Sequence, residues 1–190
     1  MKARVVLVGP FGVGRSSLAK ALVGDTSRRV KYELDQMVTT RPRRPGEDTL
    51  EYQFVTQAEF EAQRDSFLLV QPNRGVAWSY ALQADRPLPE NTVRLYVVLP
   101  EVAEFLRTEH PDETIICGVL PPSNEVLVER LKGRDATISP DELQLRIQRM
   151  AAETELAKSI ADQLFNNQDN LQNAASALGD LIESWIEHKE

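Results

Sequence analysis

Apolar residues along the chain gather into short unbroken runs, and between them lie stretches with helical spacing. Residues 3–8 (Ala-Arg-Val-Val-Leu-Val) are short, rich in β-branched side chains and closed by Gly9, which predicts a buried strand. Gly9 to Gly14 reads as a glycine-rich turn, and Leu18, Ala21 and Leu22 give residues 16–23 a helical face that Gly24 and Asp25 stop. Residues 36–40 and 52–55 read as short strands around an Arg-Pro-Arg-Arg-Pro-Gly turn, and Thr56-x-x-Glu59 before Phe60 has the form of a capping box. Residues 93–99 form a second continuous strand that Pro100 is expected to end, followed by a helix over 101–108 and a third strand over 114–119. Ser123 is positioned to cap a helix over 124–132. Helical spacing returns over 140–161, Leu164-Phe165 is a short strand candidate, and 170–188 predicts an amphipathic terminal helix. Strands alternating with helices predict an α/β fold with a mostly parallel sheet.

Composition narrows the chemistry. The chain has 190 residues, enough for one compact domain with a proper core and room for small inserted subdomains. A single cysteine, Cys117, excludes an intrachain disulfide framework and a multi-cysteine zinc site. The two histidines, His110 and His188, stand in no HExxH frame and leave little for a zinc enzyme or a serine-histidine relay. No apolar run approaches the roughly 18 residues of a membrane span, and Met1-Lys2 leads straight into a strand. The expectation is therefore a cytoplasmic protein with no membrane partner.

The formal charge of −7 is unevenly spread. Residues 150–190 hold eight acids and two lysines, so residues 1–149 are nearly neutral. The acidic total argues against nucleic acid as a partner. The first 149 residues nevertheless carry three basic clusters: Arg41, Arg43 and Arg44; Arg130, Lys132 and Arg134; Arg146 and Arg149. Those clusters leave phosphate chemistry as the best-supplied option.

The motif that carries it is Gly9-Pro-Phe-Gly-Val-Gly14-Arg15-Ser16, which fits G-x-x-x-x-G-K-[ST] except that Arg15 replaces the lysine. A glycine loop turning into a helix N-terminus offers backbone N–H groups to phosphate oxygens, and a hydroxyl at Ser16 can ligate Mg²⁺. Arginine keeps the positive charge of lysine and changes its geometry from a point to a planar fork.

Over nearly its whole length the chain resembles the guanylate kinases, which are P-loop nucleoside monophosphate kinases. The segments that carry the likeness are the Gly-Pro-Phe-Gly-Val-Gly-Arg-Ser-Ser-Leu opening, Thr39-Thr40-Arg41-Pro-Arg-Arg44-Pro-Gly-Glu47 with Glu51-Tyr52-Gln-Phe54-Val55, Pro121-Pro122-Ser123, Arg130-Leu-Lys-Gly-Arg134, Arg146-Ile147 and Asp162 to Asn167. The resemblance implies a three-layer αβα P-loop fold with a parallel sheet. Its core is expected at about 1–32, 89–132 and 147–190, an inserted acceptor-binding subdomain at about 33–88, and a lid at about 133–146.

It also implies ATP as phosphoryl donor, with Mg²⁺, and a nucleoside monophosphate as acceptor. Gly9, Gly12, Val13, Gly14, Arg15, Ser16 and Ser17 match the donor-phosphate loop, Ser16 the metal ligand, and Asn167 a residue near the donor's adenine. Arg41, Arg44 and Tyr52 match the grips on the acceptor phosphate, and Glu47 a polar residue of the acceptor site. Arg15, Arg134 and Arg146 match the cations that stabilise the transferred group.

Departures cluster by role. Leu69 stands where the family reads guanine with a glutamate, Trp78 where it has a tyrosine, Tyr80 where it has a serine or threonine, and Met37 where it has a serine. Val98-Leu99-Pro100 replaces Asp-Ile-Asp, removing the carboxylate expected near the metal, with Glu101 adjacent as its candidate replacement. Two other readings stay open: a sugar-phosphate kinase of the ribose bisphosphate kinase type, and a non-catalytic module that binds a nucleotide or a protein partner. Elsewhere the expectations are plain. Cys117 should be an inert buried thiol, His110 a surface loop residue, Leu181 and Trp185 core, and the acidic C-terminal third a solvated helix face.

Overall fold

The computed structural model describes residues 2–71, 78–134, 140–168 and 170–189. Its main sheet is parallel throughout and has five strands: β1 (Lys2–Val8), β2 (Lys31–Leu34), β7 (Thr92–Val97), β8 (Thr114–Leu120) and β9 (Gln163–Asn166), in the order β2-β7-β1-β8-β9. The three central strands are apolar runs buried along almost their whole length, as strands covered on both faces must be.

Alternation along β1 assigns its side chains to two layers. Val5 and Leu7 share a core with Leu18 and Leu22 of α1 (Arg15–Gly24) and with Leu178 and Ile182 of α6 (Leu171–Lys189). Val6 and Val8 face the opposite layer, with Val102 and Leu106 of α3 (Pro100–Glu109) and Ala157 and Ile160 of α5 (Pro140–Ile160). The result is a three-layer αβα sandwich, as expected. Leu181 and Trp185 pack on the first core, and Cys117 is fully buried, where burial pushes its thiol up to about 12.

Between β2 and β7 the chain builds a second, mixed sheet in the order β4-β3-β6-β5, from β3 (Met37–Thr39), β4 (Tyr52–Phe54), β5 (Leu69–Val70) and β6 (Tyr80–Leu82). Helix α2 (Gln57–Ala62) starts on the expected capping box, with Thr56 and Glu59 each satisfying the other's backbone N–H, and buries Phe60. Helix α4 (Asn124–Arg134) completes the set, with the Ser123 hydroxyl accepting from the Val126 N–H.

Three strands, β2, β5 and β6, escape the sequence pattern because they are two to four residues long, too short to show a period. Pro100 does not end β7. The strand stops at Val97, and Pro100 occupies the first turn of α3, where its missing N–H costs nothing.

Two polar positions have more contacts than the sequence suggests. His110, in the loop directly after α3, is half-buried as that helix's C-cap and lies 3.3 Å from Asp85. Glu183 is buried, and with Asp180 and Glu187 it takes Arg28 and Arg29, so α6 is tied to the segment after α1 through its acidic face.

Candidate functional site

A cleft of about 1910 Å³ opens between the two sheets and α5. Among the described residues, eight basic side chains line it against three acidic ones: Arg15, Lys20, Arg41, Arg44, Arg64, Arg130, Arg146 and Arg149, and Glu47, Glu51 and Glu153. A cleft of that sign in a chain of formal charge −7 concentrates anions locally.

The floor is the loop from β1 into α1. Backbone crowding sets its glycines: a Cβ on Gly9 would stand 2.3 Å from the Val119 carbonyl oxygen. Gly14 has φ +100°, a left-handed conformation, and a Cβ there would meet Asn167 Nδ2 at 2.6 Å. Gly14 is the N-cap of α1 and supplies no side-chain cap, and the first turn holds no acid. The helix thus presents uncapped donors and the positive end of its dipole to the cleft, a fit for phosphate oxygens. Val13 differs in kind from its neighbours: its side chain is buried in the core, and its carbonyl accepts from Asn167 Nδ2 at 2.7 Å and from Arg130 at 3.4 Å. Asn167 therefore pins the loop as well as lining the cleft.

Arg15 Nη1 donates to the Val98 carbonyl at 2.9 Å, across the end of β7. Ser16 Oγ donates to Glu51 Oε1 at 3.0 Å. Glu51 is buried, and Lys20 approaches its other oxygen at 4.0 Å while contacting Asp48 at 3.0 Å. Glu101, expected to replace the missing strand-end acid, is exposed on α3 and is not among the described residues lining the cleft. The carboxylate beside Ser16 comes instead from a segment 35 positions away.

On the second sheet's wall, Arg41 is nearly buried and makes two hydrogen bonds to Glu47, at 2.7 and 3.0 Å. Its guanidinium stands 5.3 Å from the ring centroids of both Tyr52 and Phe54. Burial works against its charge, and Glu47 more than offsets this, holding Arg41 above its ordinary value. Burial likewise opposes ionisation of Glu47, but Arg41 and the Arg44 N–H hold that carboxyl below the usual range. Burial, and then the adjacent Glu51, push the Tyr52 phenol well above its ordinary value, so it remains a donor at neutral pH.

Further along this wall the lining becomes Met37, Val70, Gln71, Trp78 and Tyr80. Leu69 does not belong to it. It pairs with Leu82 in the sheet and packs against the second apolar core. Gln71, two positions on, reaches the cleft and places its amide 3.6 Å from Met37 Sδ. Sequence reading misses Gln71, which belongs to no quoted motif, and gives no role to Glu51, which it names only as part of the segment that carries the family likeness.

The third wall is α5. Arg146 lies 5.9 Å from the ring centroid of Phe11 at the tip of the loop, and Glu153 accepts the Phe11 N–H at 3.2 Å. Arg134 is the last residue of α4, and the central part of the expected lid, 135–139, lies outside the described residues.

Comparison with known proteins agrees with this geometry. The family model described as guanylate kinase matches residues 1–185. The guanylate kinase of Thermobifida fusca (strain YX) is 38% identical over 166 residues, covering 82% of this chain and 78% of that protein. That of Chelativorans sp. (strain BNC1) is 31% identical over 155 residues, covering 80% and 69%. The crystal structure of guanylate kinase from Anaplasma phagocytophilum superposes with a TM-score of 0.70 at 17% identity, covering 96% of this chain and 85% of that one.

Proposed function

The chain belongs to the guanylate kinase family, and from that premise we propose that it transfers a phosphoryl group from ATP to a nucleoside monophosphate, GMP being the acceptor its relatives' name indicates. One observation carries the reading. Two anion sites face each other across a single cleft: the uncapped start of α1 with Arg15 on one side, and Arg41, Arg44 and Tyr52 on the other.

Phosphoryl transfer asks a protein for alignment and for positive charge around the moving group, and little else. The loop holds the donor phosphates, and Asn167 pins the loop and stands where the donor's adenine is expected. Arg41, Arg44 and Tyr52 hold the acceptor's phosphate, with Glu47 fixing the Arg41 fork. Arg146 and Arg134 bring positive charge from α5 and the end of α4, on the segment expected to act as a lid over 133–146. Mg²⁺, bound with the donor, neutralises phosphate charge, and Ser16 is the residue that would ligate it. Closure of the lid and of the acceptor subdomain, 33–88, brings the two phosphates into line.

At the far end of the acceptor wall the base meets Met37, Gln71 and Trp78. Among the described residues, the three carboxylates that line the cleft are engaged elsewhere, Glu47 by Arg41, Glu51 by Ser16 and Glu153 by the loop. A guanine 2-amino group therefore meets a neutral amide. A site that reads a polar edge loses discrimination when its matching group is absent, so preference for GMP over IMP should be weak.

A coupled assay with Mg·ATP across the nucleoside monophosphates and ribose phosphates tests this. Turnover is expected with GMP, with IMP within about tenfold, since one hydrogen bond to a neutral group discriminates by about 1 kcal/mol. Sugar phosphates should give none. Absence of turnover with every acceptor, with none gained on Arg15→Lys, overturns the kinase reading.

A further inference from the structure

Taking the phosphotransferase reading as given, we infer that Glu51 is the metal-side carboxylate of the donor site, acting on Mg²⁺ through the Ser16 hydroxyl. The end of β7, Val98-Leu99-Pro100, has no acid, and its Val98 carbonyl is engaged by Arg15. Glu51 fills the same need from the second sheet. Its Oε1 accepts the Ser16 hydroxyl proton at 3.0 Å, and it is only 7% exposed.

The direction of that bond matters. A serine hydroxyl has one proton and two lone pairs. Donating the proton to a carboxylate leaves both lone pairs for a hard cation and increases the electron density on the oxygen. In P-loop NTPases a loop hydroxyl and a carboxylate together hold Mg²⁺, and a partner that orients a ligand commonly governs metal affinity by 10- to 100-fold. Lys20 pairs more closely with Asp48, at 3.0 Å, than with the other oxygen of Glu51, at 4.0 Å.

Position adds a consequence. Glu51 directly precedes Tyr52, one of the residues proposed to hold the acceptor's phosphate, so one two-residue stretch at the start of β4 serves both halves of the proposed reaction. Acceptor binding that orders Tyr52 also orders Glu51, and affinity for metal-nucleotide should rise when GMP is bound.

The test uses the full chain, with Mn²⁺ as probe, read by loss of its free paramagnetic signal in the presence of ADP. Glu51→Gln is expected to weaken Mn²⁺ binding to the ADP complex by about 10- to 100-fold, while ADP affinity in EDTA moves less than about threefold. Ser16→Ala should show a similar loss, and the double variant should be no worse than the poorer single one, because both remove the same interaction. Glu51→Asp keeps the charge but withdraws it from the hydroxyl, and should lose a substantial part of the Mn²⁺ affinity with an unaltered melting profile; it serves if the Gln variant does not fold.

Unchanged Mn²⁺ affinity in Glu51→Gln or Glu51→Asp, losses that multiply in the double variant, or an equal loss of ADP affinity in EDTA each overturn the inference while wild-type turnover leaves the kinase reading standing. A wild-type chain that neither turns over nor binds ADP overturns both.

Discussion

Arg41 and Arg4 are both nearly buried, and both are held by carboxylates, yet they serve opposite ends of the molecule. Arg41 lies on the cleft wall, its fork fixed by Glu47 and flanked by two aromatic rings. Arg4 sits inside the apolar run of β1, beside Arg94 of β7 in the sheet register, and bonds to Asp85 and Glu113. The Nε atoms of both strand arginines are buried without a hydrogen-bond partner among the described residues. Arg94 spends its other nitrogens on the carbonyls of Arg86 and Pro87. Charge and burial alone therefore do not mark a functional arginine. What separates the two is where the held guanidinium stands: Arg41, fixed by Glu47 and the Pro42 carbonyl, still lines a cleft with room for an anion, and Arg4 does not.

The sharpest way to test that division is to remove each in turn. Arg4→Met removes the buried guanidinium from Asp85 and Glu113, which are partly exposed and keep His110 and Lys2 as neighbours, and should cost about 1.5–3 kcal/mol, the scale of hydrogen bonds to charged groups. Chemical denaturation reads this directly, and the KM for GMP of the remaining folded enzyme should hardly move. In Arg41→Gln the kcat/KM for the acceptor should fall by about 10²–10³, on the scale of a charge contact to the reacting phosphates, alongside the stability lost with the buried Glu47 pair. An unchanged kcat/KM in Arg41→Gln, or a fall of that size in Arg4→Met, would break the distinction.

Asp35 sharpens the structural half. It lies near Arg86 and Arg94, and burial first, with a like charge at Asp85, lifts its carboxyl to about 6. A folded value above the unfolded one means that this group's contribution is present in full below about pH 4 and is lost as pH rises through 6. Asp35→Asn should therefore gain on the parent with rising pH, by roughly 2–3 kcal/mol between pH 4 and 7. Melting curves of both proteins across that range test the sign, and a constant difference would show that Asp35 does not titrate on unfolding.

How much of this was legible beforehand follows the same line. Strands β1, β7 and β8 announce themselves as apolar runs, and the phosphate end of the cleft announces itself through glycines and arginines at fixed spacing. Arg4 is invisible as a charged-cluster member because its own strand pattern reads as core. The roles of Glu51 and Gln71 are invisible for another reason: each gains its role only when the fold brings it beside Ser16 or Met37, 35 and 34 positions away in sequence. Leu69 was the position marked by family resemblance, yet its side chain packs into the second apolar core. Local motifs report backbone demands well, and report poorly on side chains that meet across two sheets.

Arg15 carries the smallest predicted effect and touches both halves of the comparison. Its Nη1 bonds a carbonyl, as Arg94 does, but it also lines the cleft, as Arg41 does. A guanidinium held by Val98 keeps its charge close to the loop while its planar fork stays directed toward the end of β7. Lysine in its place is a compact cation with three rotatable donors and no fork to satisfy, so its charge is free to follow the phosphates. Arg15→Lys should therefore raise kcat by about tenfold, worth about 1.4 kcal/mol of barrier, with the KM for GMP within about twofold. Arg15→Ala should lower kcat below the parent. If the lysine variant is slower than the parent, the Val98 contact is part of the working geometry, and Arg15 belongs with Arg41 as a cation positioned by its partners.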